Sequence, residues 1–267
     1  MKELFITGKN LPDAYHNALL KLHSAGDEVN GDIECAMTIH IQNPLKEPMI
    51  SRLAPGGPYD LQRYLMELLD GILDFEVGRN WDYTYHQRYV DHIPFIISEL
   101  KKNQYSRRAA ISIRDNEVDS MSDSPACLQN IHFLIRDGKL DCLVLFRSND
   151  LVKAFFFNAF GLIMLQERIA KELGVEVGTY THRANSMHCY QKDIKLLDAY
   201  VNRVKRDGNN LTFVYKGYYE ELMQEHIPEI NALVETQAKK QQSSSKSETD
   251  DLLPAEVIEM VKKMVEE

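Results

Sequence analysis

Residues able to support covalent chemistry are concentrated in the middle of the chain, where Cys127 precedes Arg147 by 20 positions. The thiolate of a cysteine is a nucleophile, and a nearby cation favours it over the thiol, whose ordinary pKa is about 8.5. Asn158, His188 and Tyr190 follow downstream. This order predicts a nucleophile with its activating cation, followed by groups that bind a polar planar ligand.

Five short motifs lie in one order along this part of the chain, and their spacing is regular. Arg107 and Cys127 are 20 positions apart, and Asn158 and His188 are 30 apart. Together the motifs resemble the folate-dependent thymidylate synthase family that uses a cysteine nucleophile, and they are nearest to its archaeal branch. The resemblance covers roughly residues 1–220 and is loose before residue 60. The motifs are Ser106-Arg107-Arg108, Pro125-Ala126-Cys127, Arg147-Ser148-Asn149-Asp150, Asn158 and His188-Cys189-Tyr190.

The elements that must position these residues are helices and strands around one large sheet. The mixture of hairpin strands and long helices predicts α and β elements around one large sheet, without the regular strand–helix repeats of a parallel sheet. The resemblance implies an α+β fold with a large mixed, twisted β-sheet, long helices packed on one face, and a homodimer formed through the sheets. The sequence predicts helices over 12–24, 59–73, 92–104, 150–173 and 191–206, strands over 34–43, 109–113 and 211–215, a partly strand-like stretch over 81–90, and a hairpin over 130–146 that turns at Asp137-Gly138.

Composition changes near residue 239, which divides the chain into three parts. We predict a catalytic domain over 1–238, a polar linker over 239–253 and a short helical tail over 254–267. The tail has an apolar face and no counterpart in the resemblance. It is either a frayed end or a docking helix.

The resemblance implies the roles of the catalytic residues. Cys127 would add to C6 of a uracil ring and make C5 nucleophilic, with Arg147 favouring the thiolate. Glu67, in Glu67-Leu68-Leu69, would organise water and relay protons, and Tyr85 would help to remove the C5 proton. The structural alternatives are a buried unreactive thiol for Cys127, a helix-surface carboxylate for Glu67 and a packing aromatic for Tyr85.

Asn158 predicts the choice of base. A carboxamide offers one kind of donor and one acceptor, which match the N3–H and O4 of uracil. Cytosine inverts this pattern, so Asn158 favours a uridylate. The alternative is a structural asparagine, which inside this apolar helix would need a buried partner.

The remaining motif residues are binding candidates by resemblance. Arg147 and Ser148 resemble phosphate ligands, and His188 and Tyr190 resemble the pair that holds the sugar 3′-hydroxyl. Asp150 resembles the aspartate that hydrogen-bonds the pterin ring. Two further arginines, Arg107 and Arg108, would reach across a dimer interface and clamp the 5′-phosphate in trans, as guanidinium groups do with paired hydrogen bonds.

The sequence departs from the family at several positions. Leu128 replaces a histidine that often follows the nucleophile, Phe146 replaces a frequent glutamine, and Asp70 stands where tryptophan is frequent. No N-terminal phosphate-binding loop is recognisable, although Arg52 is the nearest arginine. A C-terminal closing segment is not recognisable either. These departures concern the pterin side more than the nucleotide side.

Composition limits the other classes of function. The chain has 267 residues, 44% of them apolar, and a formal charge of −9, which argues against general nucleic-acid binding. Its four cysteines form no CxxC pair and its nine histidines show no zinc-type spacing, so neither a disulfide framework nor a metal site is predicted. The absence of a membrane-length apolar run or an N-terminal targeting signal predicts no membrane partner and a cytoplasmic location.

The predicted reaction is methyl transfer that converts dUMP to dTMP. The one-carbon donor would be a reduced pterin, either 5,10-methylene-tetrahydrofolate or methylene-tetrahydromethanopterin, which also supplies hydride. One alternative is a pyrimidine nucleotide 5-hydroxymethyltransferase acting on dUMP, dCMP or CMP, in which water replaces hydride. Another is a catalytically silent relative that binds nucleotide or RNA.

Overall fold

The computed structural model describes the backbone of residues 1–250 and the side chains of residues 1–208 and 210–241. Residues 1–225 form one compact unit, and a long helix, α9 (Ile227–Asp250), belongs to a second. The strands of the first unit are β1 (Glu3–Gly8), β2 (Asp27–Val29), β3 (Asp32–Ile41), β4 (Ile50–Ser51), β5 (Ala110–Ser112), β6 (Leu128–Arg136), β7 (Lys139–Asp150), β8 (Glu176–Cys189) and β9 (Thr212–Phe213). Its helices are α1 (Leu11–Ala25), α2 (Pro58–Asp70), α3 (Tyr85–Tyr89), α4 (Ile93–Lys102), α5 (Asn116–Asp119), α6 (Phe155–Leu173), α7 (Ile194–Asp207) and α8 (Glu220–Gln224).

A seven-stranded mixed sheet organises the first unit. Its strand order is β1-β3-β8-β7-β6-β5, with β2 added to β3. The pairs β1–β3 and β7–β8 are parallel, and the other pairs are antiparallel. Helix α1 packs on β1 and β3, and helix α6 packs on β7 and β8. The predicted α+β fold with a large mixed sheet and long helices is confirmed.

The predicted hairpin is formed by β6 and β7. At its turn, Asp137 and Gly138 have φ angles of +50° and +73°. Two successive left-handed residues match the twist of antiparallel strands, which is why Asp-Gly favours such turns. The turn sets a register that holds as far as the pair Asn130–Leu145, and a bulge between Leu128 and Asn130 then places Leu128 opposite Phe146. This register brings the residues next to that pair, Cys127 and Arg147, side by side.

Helix α6 is buried along most of its length, as its apolar sequence predicts. It ends at Gly174, whose φ of +69° gives the left-handed cap that glycine adopts without strain. Asn158 lies near the start of this helix and is 8% exposed. The helix therefore holds a polar amide within the apolar interior, close to the strands β7 and β8.

The two faces of the sheet have different surroundings. One cross-strand row, from Ile6 on β1 to Ile131 on β6, faces the helices and is 0–6% exposed. The adjacent row faces away from them, and its first residue, Phe5, is 66% exposed. Because side chains alternate between faces, each strand contributes to both rows. The inner row is Ile6, Ile39, His182, Val144 and Ile131, and the outer row is Phe5, Thr38, Arg183, Leu145 and Asn130.

One predicted local structure is wrong. The stretch 81–90 is not a strand, because Thr84 accepts a hydrogen bond from the backbone N–H of Gln87 and starts helix α3 at Tyr85. This side-chain cap satisfies an N–H group in the first turn of the helix. The alternation of aromatic residues in the sequence gives no information about such a cap. Over 239–250, within the predicted linker, the backbone is helical as part of α9. The predicted tail over 254–267 lies outside the described residues.

Within residues 1–250, no helix combines the length and apolar character that crossing a bilayer requires.

Candidate active site

Cys127 and Arg147 are joined through the backbone at the start of the hairpin. The N–H of Arg147 donates to the carbonyl of Cys127 at 2.8 Å. The guanidinium of Arg147 donates from Nη2 to the carbonyl of Pro125 at 2.7 Å and from Nε to that of Ala126 at 3.1 Å. Arg147 therefore fixes the backbone that presents the thiol. Cys127 is partly exposed, whereas the other three cysteines are buried.

Two tyrosines stand beside this thiol. The hydroxyl of Tyr85 accepts a hydrogen bond from the N–H of Leu128 at 3.2 Å. Burial raises the pKa of Tyr83, and the nearby Cys127 raises it further. Burial likewise raises the pKa of Tyr85, with added contributions from Tyr83 and Tyr64. Both phenols therefore stay protonated at neutral pH and can donate hydrogen bonds.

A cleft of about 410 Å³ opens on this group. Glu67, Tyr83, Tyr85 and Ser124 are part of its lining. Burial raises the pKa of Glu67 above its usual 4.5, with Arg63 acting in the opposite direction. Glu67 is partly buried on helix α2. The cleft brings a carboxyl group with a raised pKa next to the two phenols near Cys127.

Asn158 has two hydrogen-bond partners, the buried Asn149 and the partly buried Tyr64. Its Oδ1 accepts from Nδ2 of Asn149 at 2.9 Å, and its Nδ2 donates to the hydroxyl of Tyr64 at 2.5 Å. The condition for a structural asparagine is thus met. The amide nevertheless retains one N–H and one lone pair, because each of its atoms can make two hydrogen bonds. Tyr64 also lies near Glu67, whose charge adds to the burial that raises the pKa of this phenol.

The ends of β7 and β8 bring four predicted binding residues together. Asp150 lies opposite His188 in the parallel register, and Ser148 Oγ is 3.3 Å from His188 Nδ1. The Nε2 atom of His188 is buried and has no hydrogen-bond partner among the described residues. The rings of His188 and Tyr190 meet edge to face, with centroids 4.6 Å apart. Asp150 Oδ1 accepts from the N–H groups of two following residues, Val152 and Lys153, at 2.9 and 3.0 Å.

Arg107 and Arg108 lie elsewhere on this chain. Both are exposed, and they line a separate cleft of about 440 Å³ together with Lys102 and Tyr105. Ser106 orders this segment, because its Oγ donates to Glu99 at 2.6 Å. None of the other predicted site residues lines this cleft.

Comparison with known proteins identifies the family. The family model for thymidylate synthase matches residues 64–240. The chain belongs to the thymidylate synthase family. Members of this family are one-carbon transferases that bind a dUMP-like nucleotide and a folate-type cosubstrate.

Relatives of three kinds are similar to this member of the thymidylate synthase family. A candidate thymidylate synthase of Methanocaldococcus jannaschii is 35% identical over 202 residues, which are 70% of this chain and 90% of the relative. Deoxyuridylate hydroxymethyltransferase of Pseudomonas phage M6 is 30% identical over 217 residues, covering 70% of this chain and 62% of the phage protein. Thermostable thymidylate synthase A of Bacillus subtilis shares the fold, with a TM-score of 0.57, 16% identity, and coverage of 72% of this chain and 84% of that one.

Four further residues lie beside the candidate site of this thymidylate synthase family member and were not predicted from its sequence. Tyr83, two positions before Tyr85, was present in the aromatic cluster but not selected. Tyr64 looked like one member of an apolar helix stripe. Asn149 and His182 are buried on neighbouring strands, and no local pattern signals that they bond to each other. Among the described residues, no group of three or more acidic, histidine or cysteine side chains could hold a metal ion.

Proposed function

We propose that this protein methylates a deoxyuridylate at C5, converting dUMP to dTMP with a methylene-tetrahydropterin as cosubstrate. The observation that carries the proposal is the partly exposed thiol of Cys127, held beside Arg147 by the hairpin register and by two guanidinium–carbonyl bonds. A nucleophile that attacks a ring carbon must be reachable and fixed in direction. The partial exposure argues against a purely structural thiol.

The surrounding groups fit the steps of such a reaction. Tyr83 or Tyr85 and Glu67 line one cleft and can exchange protons near C5 and O4 of the base. Asn158 would pair with the base, and the unpartnered Nε2 of His188 supports a bond to the sugar hydroxyl. Ser148, Arg147 and Tyr190 would complete the nucleotide site. Asp150 would face the pterin, either a folate or a methanopterin.

A second candidate is 5-hydroxymethylation of the same base. The phage relative named deoxyuridylate hydroxymethyltransferase matches 70% of this chain and supports it. Both reactions need the same thiolate addition and one-carbon transfer. They differ in whether hydride or water reaches the exocyclic carbon. The methyl reaction is preferred because the relative matched over 90% of its own length is a candidate thymidylate synthase.

Three measurements test this function. Purified protein is incubated with [5-³H]deoxyuridylate and each methylene-pterin, and tritium release is followed; no release with any pterin would overturn the proposal. The product mass separates a methyl from a hydroxymethyl base. A stable adduct with 5-fluoro-deoxyuridylate, mapped by peptide mass to Cys127, would identify the nucleophile.

We also propose a homodimer formed through the outer row of the sheet. Phe5, on this face, is 66% exposed, an apolar surface that a second sheet would cover. Arg107 and Arg108 would then complete the phosphate site of the partner. Mixing Cys127→Ala protein with the Arg107→Ala/Arg108→Ala variant should restore about a quarter of wild-type activity, since random exchange makes half of the dimers mixed, each with one intact site. No recovery despite subunit exchange would show that the arginines do not act in trans.

A further inference from the structure

Five polar side chains form a hydrogen-bonded series that runs from Tyr180 through Asn158 to Tyr64. The Tyr180 hydroxyl is 3.1 Å from Nδ1 of His182, and Nε2 of His182 is 3.1 Å from Oδ1 of Asn149. Asn149 Nδ2 donates to Asn158, and Asn158 donates to the hydroxyl of Tyr64. Tyr180 and His182 are fully buried, and Asn149 is 4% exposed. The methyl-transfer chemistry proposed above uses none of the first three residues.

The buried hydroxyl of Tyr180, at one end of this hydrogen-bonded series, determines which group donates in each bond. The hydroxyl of Tyr180 has His182 as its one hydrogen-bond partner among the described residues. A buried hydroxyl that only accepted a bond would leave its proton unsatisfied, so Tyr180 donates to Nδ1 of His182. The proton of the imidazole must then be on Nε2, which donates to Asn149. Asn149 in turn can offer only its NH₂ group to Asn158.

The imidazole itself is held in one state and one orientation. Burial lowers the pKa of His182 to about 3, so the ring is neutral throughout the physiological range. It stacks on Phe146 with ring centroids 4.5 Å apart and packs edge to face with Phe155, with centroids 4.8 Å apart. These two aromatic rings oppose rotation of the imidazole. A neutral ring in a fixed orientation accepts from Tyr180 at Nδ1 and donates to Asn149 from Nε2.

We propose that Asn149, His182 and Tyr180 are specificity-determining positioning residues, which hold the Asn158 amide in the orientation that accepts uracil and rejects cytosine. The inference rests on the proposed function. With Oδ1 bound by Asn149 and Nδ2 bound to Tyr64, Asn158 has one lone pair for N3–H and one N–H for O4 of uracil. Cytosine would place an acceptor against the lone pair and a donor against the N–H.

The substitution Asn149→Asp tests the proposal by reversing the amide. A carboxylate accepts from His182 but cannot donate, so Asn158 would turn its NH₂ group towards residue 149 and its Oδ1 towards Tyr64. The reversed amide matches cytosine. We expect the ratio of the Kd for dCMP to the Kd for dUMP, measured by calorimetry, to fall by about 100-fold or more. Asn185→Asp, at an exposed position of the same strand as His182, is the matched control and should leave this ratio unchanged.

Tyr180→Phe is the milder variant and decides the question if Asn149→Asp does not fold. Without the phenol, Nδ1 of His182 has no donor to accept from. The imidazole proton is then no longer confined to Nε2, and Asn149 is no longer held in one orientation. The ratio should then fall by about three- to tenfold. An unchanged ratio in a folded Asn149→Asp or, failing that, Tyr180→Phe protein would overturn the inference.

Two further outcomes separate this inference from the proposed function. A wild-type protein that binds neither nucleotide would overturn the proposed function itself. A wild-type protein that selects dUMP, together with a folded variant that keeps the same selectivity, would overturn only the inference. The direction of the chain is tested without nucleotide by ¹⁵N NMR of the imidazole, identified by its loss in His182→Gln: a proton on Nε2 is expected, and a proton on Nδ1 would overturn the inference.

Discussion

Cys127 and Cys142 belong to the same hairpin, and their thiols lie in different surroundings. Cys142, in the middle of β7 opposite Phe133, is 1% exposed. Burial raises its pKa far above the usual thiol value, and the neighbouring Asp141 adds to this effect. Cys127, just before β6, is partly exposed and lies beside Tyr83 and the bonded guanidinium of Arg147.

The difference between the two thiols lies in their position along the strands. In mid-strand a side chain of the inner face is covered by helices, and its thiol remains a small apolar group. Before the start of β6 the thiol of Cys127 is only partly covered, and it lies near Tyr83, which lines the cleft shared with Glu67 and Tyr85. The same residue type is therefore structural at one position and available for chemistry at the other.

Exchanging each thiol for alanine should give the largest contrast. We expect Cys127→Ala to lose activity by about 10⁴-fold or more with unchanged thermal stability, because no other group can form the covalent bond. Cys142→Ala should retain activity and lose about 1 kcal/mol of unfolding free energy through a small cavity. Turnover and thermal unfolding of both variants provide the check. Full turnover by folded Cys127→Ala would remove the contrast.

Alkylation should distinguish the thiols in the wild-type protein. Burial raises the pKa of Cys35 to about 11 and that of Cys189 to about 12. Only thiolates react, so at pH 8 the reactive fraction of Cys35 is about one in a thousand even before its burial slows access. Peptide mass mapping after brief iodoacetamide treatment should find Cys127 labelled first. Equal labelling of Cys35 in folded protein would contradict the comparison.

Replacing Arg147, whose guanidinium bonds two backbone carbonyls, should reduce the difference between the surroundings of Cys127 and Cys142. Lysine keeps the charge of Arg147 but cannot hold the carbonyls of Pro125 and Ala126 together. We expect Arg147→Lys to lower kcat/KM by about 10²-fold, equivalent to about 3 kcal/mol for the lost bonds. Arg136→Lys, on the same hairpin and bonded to a single carbonyl, is the control and should stay near wild type. A decrease in kcat/KM of less than threefold for Arg147→Lys would mean that the two guanidinium–carbonyl bonds do not position the thiol.

The smallest effect concerns Glu67 in the cleft beside Cys127. Burial raises its pKa, so the folded state favours the protonated carboxyl. Its stabilising contribution is present below the ordinary pKa and is lost as the pH rises through the raised value. Glu67→Gln should therefore melt higher at pH 7, on the order of 2 °C, and match wild type below pH 4. Exposed Glu28→Gln should show no such dependence, and an equal shift in both variants would refute a special environment for Glu67.

Much of the fold was predictable because local signals agree with the tertiary structure. Asp137-Gly138 specified the hairpin, Gly174 ended the apolar helix α6, and the hairpin register explains the 20-residue interval between Cys127 and Arg147. These features depend on turn chemistry and periodicity, which a single sequence carries.

The less predictable parts depend on contacts between distant residues. The bond from His182 to Asn149 joins positions 33 apart, and the bond from Asn158 to Tyr64 joins positions 94 apart. A buried histidine on a strand has the same local pattern whether or not it bonds to an amide. The cap at Thr84 was missed for a related reason, because alternating aromatic residues resemble a strand when the cap is not considered.

The hairpin turn lies at the opposite end of β7 from Arg147, about 30 Å away for an extended strand of this length. Alternation places Arg147 on the outer face with Leu145, so lengthening that turn by one residue, with β6 kept in place, would turn the guanidinium to the inner face under the helices. Insertion of two residues would restore the side but displace the charge by one pleat along the strand. The length of this surface turn is therefore constrained by the position of Arg147 at a distance, because an odd insertion changes the face of the sheet on which the guanidinium lies.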